Sequence, residues 1–198
     1  MPRLSTGALE ERRQHIIDAA MRLFARNGFH RTTMRDIFEE AGLSAGAVYN
    51  YFKSKEDIFE AAVRTSQTRS EQVIGEALDP AATGDAFASA VDIFFGDLAA
   101  QSGGDMPRAA LIILAEALVN PRLGKIVQGN RAHNRVAIRR LVEARKAADP
   151  SWANLPEPVL TEMLLAIFQG LVVALALGEA ARIDEIRGVL KRLTFSAS

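Results

Sequence analysis

The chain has 198 residues, of which 48% are hydrophobic, and a formal net charge of zero. This length and composition suit one or two folded domains and exclude a mostly disordered chain. The chain has no cysteine, which excludes a disulfide framework and a cysteine-ligated zinc or iron–sulfur site. We predict no cofactor and no metal.

The N-terminal segment, MPRLSTGALEERRQ, lacks the apolar core of a signal peptide. The longest apolar run, residues 163–178, contains Gln169 and is shorter than the roughly 18–20 residues that a membrane span needs. We therefore predict a cytoplasmic protein with no membrane partner, in which this run forms a buried helix.

Charge is distributed unevenly along the chain. Residues 1–55 hold 9 Lys/Arg and 6 Asp/Glu, a net charge of +3, and the remaining residues hold 15 and 18, a net charge of −3. This asymmetry favours an anionic partner for the N-terminal region.

Helical periodicity dominates the chain, and Gly, Pro and Asn-Gly breakers separate segments of helix length. The pattern predicts an all-α fold of about nine helices. Their expected ranges are 9–27, 33–40, 44–51, 55–78, 84–101, 106–119, 121–148, 156–177 and 182–194.

The second and third helices have clear end signals. Thr33 suits the N-cap of the second helix, Gly42 the left-handed position after it, and Ser44 the N-cap of the third helix. Two short helices joined by residues 41–44 have the layout of a helix-turn-helix, whose second helix enters the DNA major groove.

The stretch GLSAGAVYNYFKSK supports this interpretation. On a helical wheel, Val48 and Phe52 point inward. The outward face has two tiny residues, a phenol and an amide, which suit close approach to bases and hydrogen bonds to DNA; these are Ala45, Gly46, Tyr49 and Asn50. The alternative is that the tyrosines cover a small core, and for Tyr51 the two interpretations stay open.

The segment GFHRTTMRDIFEEAGLSAGAVYNYFKSKEDIFEA resembles the N-terminal DNA-binding region of the TetR family of transcriptional regulators, over roughly residues 10–62. The resemblance implies base contacts from the face around Ala45, Gly46 and Asn50. It implies phosphate contacts from Thr33, Ser44, Tyr49, Tyr51 and Lys55. Two departures are Ala45, where many relatives have a basic or polar residue, and Phe38, where a small residue is common.

The resemblance also implies an all-helical homodimer. Residues 1–54 would form the helix-turn-helix DNA-binding domain, and residues 55–198 a helical domain for ligand binding and dimerisation. The implied partners are a double-stranded DNA operator, a second copy of the chain and an unidentified, largely apolar small-molecule effector.

Candidate effector-binding residues are polar side chains on apolar segments. Glu116 lies in the apolar segment MPRAALIILAEALVN and is either an ion-pair partner of Arg108 or Arg122 or a polar anchor in a ligand cavity. The inward side of the seventh helix also has polar residues, which line either a satisfied polar core or a cavity. The candidate set is Glu116, Asn130, His133, Asn134 and Gln169.

The opposite side of the seventh helix carries Arg131, Arg135 and Arg139, which form either a solvated stripe or a second DNA surface. The eighth helix has a small residue at every fourth position, and the ninth has an apolar stripe from Ile183 to Leu193. We predict a two-fold interface between copies, with internal packing as the alternative. The predicted interface residues are Ala166, Gly170, Ala174, Gly178, Ile186 and Leu190.

The sequence therefore predicts a transcriptional repressor that a small molecule releases from a near-palindromic operator. The alternative is a TetR-like architectural or cell-division protein that binds DNA without an inducer. We predict no catalytic residue and no enzyme activity, because the chain lacks the HExxH, GxSxG and phosphate-loop motifs.

Overall fold

The computed structural model describes residues 6–79, 85–100, 105–179 and 182–192. These residues form nine α-helices and one short 3₁₀ turn, Pro150–Trp152, with no strand among them. The prediction of an all-α chain is confirmed. The helices are α1 (Thr6–Asn27), α2 (Met34–Ala41), α3 (Ala45–Tyr49), α4 (Lys55–Ala77), α5 (Ala86–Ala100), α6 (Asp105–Glu116), α7 (Pro121–Ala148), α8 (Glu157–Ala176) and α9 (Ile183–Arg192).

Most helix limits lie close to the predicted ones. Helix α3 is shorter than predicted, because Ser44 is its N-cap and Asn50 its C-cap. Helix α6 ends at Glu116 rather than residue 119. The 3₁₀ turn was not predicted. The predicted helix ends at residues 84, 101 and 194, and Leu193, lie outside the described residues.

The chain divides into two compact units. Unit 1 comprises residues 1–65 and 104–127, and unit 2 comprises residues 66–103 and 128–198. Unit 1 therefore contains α6 and the starts of α4 and α7 besides the first three helices. The expected division into domains at residues 54 and 55 stays a prediction.

The core of unit 1 forms around α1, which packs against α2 and α6. The apolar stripe of α1 is buried, as its 3.6-residue spacing predicts. Buried side chains of α2, α3, α4, α6 and α7 belong to the same cluster, so the short helices of the helix-turn-helix rest on a common core. Fully buried side chains include Ile16, Phe24, Phe29, Ile37, Val48, Ile58, Ile113 and Leu123.

The core of unit 2 contains the lone tryptophan. Trp152 is 1% exposed, and its ring centroid lies 5.3 Å from that of Phe87 on α5. Helices α5 and α9 pack against each other, and one side of α8 joins the same core. The other buried members include Ile74, Leu141, Val142, Leu160, Leu175 and Leu190.

Candidate nucleic-acid interface

The turn between α2 and α3 is fixed by local hydrogen bonds. The Thr33 hydroxyl accepts from the Asp36 amide, and the Asp36 carboxylate accepts from the Thr33 amide at 2.7 Å, which completes a capping box at the start of α2. The pKa of Asp36 is lowered mainly because its carboxylate accepts that Thr33 amide.

Gly42 ends α2 in the left-handed conformation, with φ of 63°. The Leu43 amide then donates to the Phe38 carbonyl at 3.0 Å, which closes the helix end. The Ser44 hydroxyl accepts from the Ala47 amide and starts α3. The local signals of the sequence thus set the orientation of α3 relative to α2.

Six of the eight predicted DNA-binding residues are exposed, and the other two, Tyr51 and Lys55, are half-buried. The side chain of Val48, between them, is fully buried against the core of unit 1. Helix α3 therefore presents one side to solvent, as the helical wheel predicts. We call this exposed side, formed by Ala45, Gly46, Tyr49 and Asn50, the bare side of α3. The exposed residues are Thr33, Ser44, Ala45, Gly46, Tyr49 and Asn50.

The Tyr49 ring rests on Phe38 of α2. The two ring centroids are 5.2 Å apart in an edge-to-face arrangement, a geometry that aromatic pairs favour. Tyr49 remains 40% exposed, so part of the residue is accessible to solvent. The large side chain at position 38, unusual for the resembled family, thus supports the exposed phenol.

Tyr51 follows the last turn of α3 and packs partly against the core of unit 1. Its ring centroid lies 6.4 Å from that of Phe52. The structure therefore assigns its ring a packing role, and phosphate binding by its hydroxyl stays a prediction.

The Lys55 ammonium group is already hydrogen-bonded within the protein and is not free to anchor a phosphate. Its Nζ donates to the carbonyl oxygens of Phe29, His30 and Thr32 at 2.6, 3.0 and 3.0 Å. It also lies 4.6 Å from the centre of the Phe29 ring. An ammonium group has three donors, and all three are used here. Lys55 thus holds the loop between α1 and α2, a role that the sequence analysis missed.

The hydrogen bonds between α1 and α2 were not predicted from the sequence either. Arg22 and Arg26 donate to the two oxygens of Glu40 at 3.1 and 2.5 Å, and these two hydrogen bonds lower the pKa of the Glu40 carboxyl. His15 Nε2 donates to the Ala41 carbonyl at 2.9 Å. The partners are 14 to 26 residues apart, so no local pattern identifies them.

The predicted effector-binding residues are divided between the two units. Glu116 ends α6 in unit 1 and is partly exposed rather than buried, and Arg122, one predicted ion-pair partner, binds Asp57 instead. In unit 2, Asn130 Oδ1 accepts from Gln67 Nε2 at 3.1 Å.

His133, Asn134 and Gln169 are all half-buried in unit 2. The buried Nε2 of His133 makes no hydrogen bond within the described residues and lies 3.7 Å from a carboxylate oxygen of Glu71. A cavity of about 380 Å³ opens elsewhere in unit 2, between α5 and α7. Its lining includes none of the five candidates: it consists of Asp85, Ala86, Phe87, Ala144, Arg145 and Ala148.

Along α7, Arg135 donates to Glu162 of α8 at 2.5 Å, and Arg139 lies 3.6 Å from Glu143. Both arginines are thus ion-paired within unit 2, as a solvated stripe would be.

Helix α8 is buried on one side only. Four large apolar residues of its other side, with Ala166 and Gly170 between them, are exposed in the single chain. By length and composition alone, α8 could also cross a membrane, but core helices of soluble proteins meet the same criterion. The exposed apolar residues are Val159, Met163, Val173 and Leu177, at 52, 53, 37 and 66%.

The predicted interface residues fall partly on this exposed side. Ala166, Gly170 and Gly178 are exposed, and Ala174 is half-buried. Leu190 is 4% exposed and lies in the core of unit 2, with Ile186 packed against that core, so neither side chain projects freely from α9. The exposed apolar residue of α9 is Val189, at 52%.

Comparison with known proteins identifies the N-terminal segment. Residues 16–62 match the family described as "Bacterial regulatory proteins, tetR family". The HTH-type transcriptional repressor AcnR of Corynebacterium diphtheriae is 38% identical over 76 residues, which cover 38% of this chain and 40% of that repressor.

Two further similarities extend over nearly the whole chain. The HTH-type transcriptional repressor Rv1474c of Mycobacterium tuberculosis is 26% identical over 197 residues, which cover 97% of this chain and 100% of that protein. The structure of a SmeT–triclosan complex aligns with a TM-score of 0.70 at 19% identity, covering 91% of this chain and 90% of SmeT.

The capped turn, the bare side of α3 and the all-helical fold define a helix-turn-helix transcriptional regulator. More narrowly, residues 16–62 match the TetR family, and the chain is similar over nearly its whole length to the repressor Rv1474c.

Proposed function

We propose that this chain is a dimeric repressor that binds a near-palindromic operator and leaves it when a small molecule binds. The observation that carries the proposal is the bare side of α3. Ala45 and Gly46 let the helix backbone approach base edges, and Asn50 is exposed beside them. Asn side chains form bidentate contacts with adenine in the major groove.

Phosphate contacts would flank this surface. Thr33 and Ser44 are exposed residues at the N-termini of α2 and α3, where helix dipoles favour anions, although the Thr33 hydroxyl already donates to the Asp36 carboxylate at 2.8 Å. The supported Tyr49 hydroxyl adds a donor. Lys53 is exposed, and its Nζ, bound to the Tyr49 carbonyl at 2.6 Å, retains donors for a phosphate.

Dimerisation would cover the exposed side of α8. Val159, Met163, Val173 and Leu177 follow one another at intervals of 4, 10 and 4 residues, and Ala166 and Gly170 fill the long interval at 3–4 spacing. Such spacing keeps all six positions on one side of a helix and is typical of packing between helices. A two-fold arrangement would place this side against its own copy.

An effector would bind in unit 2. SmeT, a structural neighbour of this chain, forms a complex with triclosan, which supports a small-molecule ligand for this fold. Asn130, His133, Asn134 and Gln169 stay our candidates for polar contacts to that ligand. Its binding would lower operator affinity by favouring a conformation that binds DNA less well. We further propose that the chain acts in the cytoplasm and catalyses no reaction.

The experiment that tests this function is selection of bound duplexes from a random DNA pool, with three proteins in parallel. The wild type should enrich a near-palindrome whose half-sites lie about 10 base pairs, or a multiple, apart. Gly46→Glu should enrich nothing, because it places a carboxylate on the DNA-facing side, where a Cβ meets no atom within 4 Å and the fold is undisturbed.

Gly75→Glu is the matched control, because Gly75 is also an exposed helical glycine with open space around it. It should enrich the same near-palindrome as the wild type. A wild-type selection without consensus would contradict the proposal, as would equal enrichment by Gly46→Glu. The enriched duplex then allows small molecules to be screened for release of the protein.

A further inference from the structure

We propose that Arg122 is a positioning residue for operator binding, which holds the first turn of α4 in the place that the helix-turn-helix requires. This inference rests on the proposed function and deepens it, since it names a residue that controls DNA affinity without touching DNA. All the contacts involved lie within unit 1.

Arg122 binds both side chains that cap α4. Its Nη1 donates to Ser54 Oγ at 3.1 Å, and its Nη2 donates to Asp57 Oδ1. The other oxygen of Asp57 accepts from the backbone amides of Lys53 and Ser54, each at 3.0 Å. Ser54 Oγ accepts from the Asp57 amide at 3.2 Å. These bonds form a capping box, and Arg122 binds it from outside.

The pKa of the Asp57 carboxyl group agrees with this arrangement. Partial burial raises its pKa, but the hydrogen bonds from Arg122 and from the Lys53 amide outweigh that effect and leave the pKa below its usual range. Asp57 is thus ionised at neutral pH and attracts the guanidinium group.

Arg122 is itself anchored in a capped turn. The Asn120 side chain accepts from the amides of Arg122 and Leu123 at 3.0 and 3.3 Å, which caps the start of α7. The side chain of Leu123 is fully buried in the core of unit 1. The backbone that carries the guanidinium is therefore fixed with respect to that core.

Lys55 extends this constraint to the DNA-binding helices. It begins α4, directly after Ser54, and its ammonium group holds three carbonyls of the loop between α1 and α2. That loop leads into Thr33, the N-cap of α2. A shift of the first turn of α4 would therefore move the loop, and with it the start of the helix-turn-helix.

A half-exposed ion pair such as this one usually adds little to stability. The Arg122 side chain is 51% exposed, so its removal should leave unit 1 folded. Operator affinity of the folded protein, rather than thermal stability, is therefore the quantity that separates a positioning role from a merely structural one.

The test compares wild type, Arg122→Gln and Arg122→Lys on the selected operator, by fluorescence anisotropy at several salt concentrations. Arg108→Gln is the matched control, since Arg108 is another exposed arginine of unit 1. Circular dichroism and sedimentation confirm that each variant is folded and dimeric at the assay temperature.

We expect Arg122→Gln to raise the operator Kd by about 3- to 30-fold, the range for residues that couple to a site without touching its ligand. The slope of log K against log salt should stay that of the wild type, because no phosphate contact is lost. Arg122→Lys should recover most of the affinity, and Arg108→Gln should match the wild type.

A Kd for Arg122→Gln within twofold of wild type would overturn the inference. So would a salt slope reduced by about one phosphate contact, since Arg122 would then touch DNA. If Arg122→Gln fails to fold, Arg122→Met and Asp57→Asn decide through a double-mutant cycle, in which additive effects would overturn it. Failure of the wild type to bind any duplex would instead contradict the proposed function.

Discussion

The two compact units use polar side chains differently. Next to the helix-turn-helix, polar side chains bind the main chain as well as one another: Lys55 holds three carbonyls, Asp57 two amides and His15 the Ala41 carbonyl, while Arg22 and Arg26 bind the Glu40 carboxylate. In unit 2, Lys146 binds the Leu155 carbonyl, but the ion pairs that join helices link side chain to side chain, as between Arg135 and Glu162 or between Lys191 and Asp92. Bonds to the main chain fix the path of loops, whereas exposed side-chain pairs constrain the backbone less.

The exposed surfaces of the two units also differ, in the kind of side chain that they present to solvent. Unit 1 presents small and hydrogen-bonding residues on α3, which suit a polyanionic duplex. Unit 2 presents an apolar stripe on α8, which in water is stabilised by burial against another apolar surface. The comparison indicates that unit 1 must hold the exposed residues of α3 in position, whereas unit 2 must bury the apolar stripe of α8.

The largest effect should come from the apolar stripe of unit 2. Met163→Lys places a charge at the proposed dimer interface, where burial of an unpaired charge is costly. The protein should become monomeric and lose about 100-fold or more in operator affinity, because two linked half-site contacts become one. Sedimentation and anisotropy measure the two losses.

Val136→Lys is the control for this prediction. Val136 is 50% exposed on α7, outside the stripe, so its substitution should leave the dimer and the operator affinity unchanged. If Met163→Lys stays dimeric, the stripe is not the interface. Burial of an apolar surface would then no longer distinguish unit 2 from unit 1.

The next largest effect should come from Tyr49 in unit 1. Tyr49→Ala should weaken operator binding by about 1–3 kcal/mol, as for loss of one specific contact, and Tyr49→Phe should separate the hydroxyl from the ring. Leu114→Ala is the matched control for Tyr49→Ala, since Leu114 is 41% exposed on α6 in the same unit. Unchanged anisotropy titrations for Tyr49→Ala would remove this residue from the site.

A smaller effect should distinguish two glycines in the left-handed conformation. Gly42 in unit 1 has φ of 63° and Gly178 in unit 2 has φ of 79°, and neither Cβ would meet an atom within 4 Å. Substitution by Ala therefore adds backbone strain alone, about 1–2 kcal/mol in each case. Thermal unfolding should show similar losses, but only Gly42→Ala should also weaken operator binding. Equal operator affinities would show that the turn tolerates distortion.

The smallest expected effect is the loss of folding stability at low pH. Hydrogen bonds from Arg22 and Arg26 lower the pKa of Glu40 in unit 1, and one from Arg135 lowers the pKa of Glu162 in unit 2. A carboxyl whose folded pKa is depressed stabilises the fold above its unfolded pKa, and this contribution is lost as the pH falls through the folded pKa.

The free energy of unfolding should therefore decrease below about pH 4.5. Glu40→Gln or Glu162→Gln should each flatten the decrease, which urea unfolding from pH 6 to about pH 3 measures. Because Glu40 joins α1 to α2, Glu40→Gln alone should also reduce operator binding at neutral pH. An unchanged acid profile in both variants would mean that these pairs do not contribute to stability.

Much of the helix-turn-helix was predictable because its signals are local. Thr33, Gly42 and Ser44 act within three or four residues of their partners, and the helical phase of Val48 determines which side of α3 is bare. The Lys55 ammonium group binds carbonyls 23 to 26 residues away, and that arrangement depends on how α4 crosses the loop. The family resemblance implied a phosphate contact for Lys55 and did not indicate these carbonyl contacts.

The exposed apolar side of α8 was only partly predictable, for a geometric reason. Positions four apart, such as Ala166, Gly170, Ala174 and Gly178, drift by about 40° per step around a helix of 3.6 residues per turn. Alternating steps of three and four stay on one side, as the exposed stripe does. The prediction for α9 included Leu190, which the core of unit 2 covers, because periodicity identifies an apolar stripe but not its partner.

The edge-to-face contact between Phe38 and Tyr49 has a consequence for engineering. Position 38 lies on the helix behind the recognition helix, so a library built there would tilt the phenol without altering any atom proposed to meet the duplex. Variants with new sequence preferences would then be sought in the layer beneath the proposed contact surface, where the groups proposed to meet DNA are kept and only their angle of approach is changed.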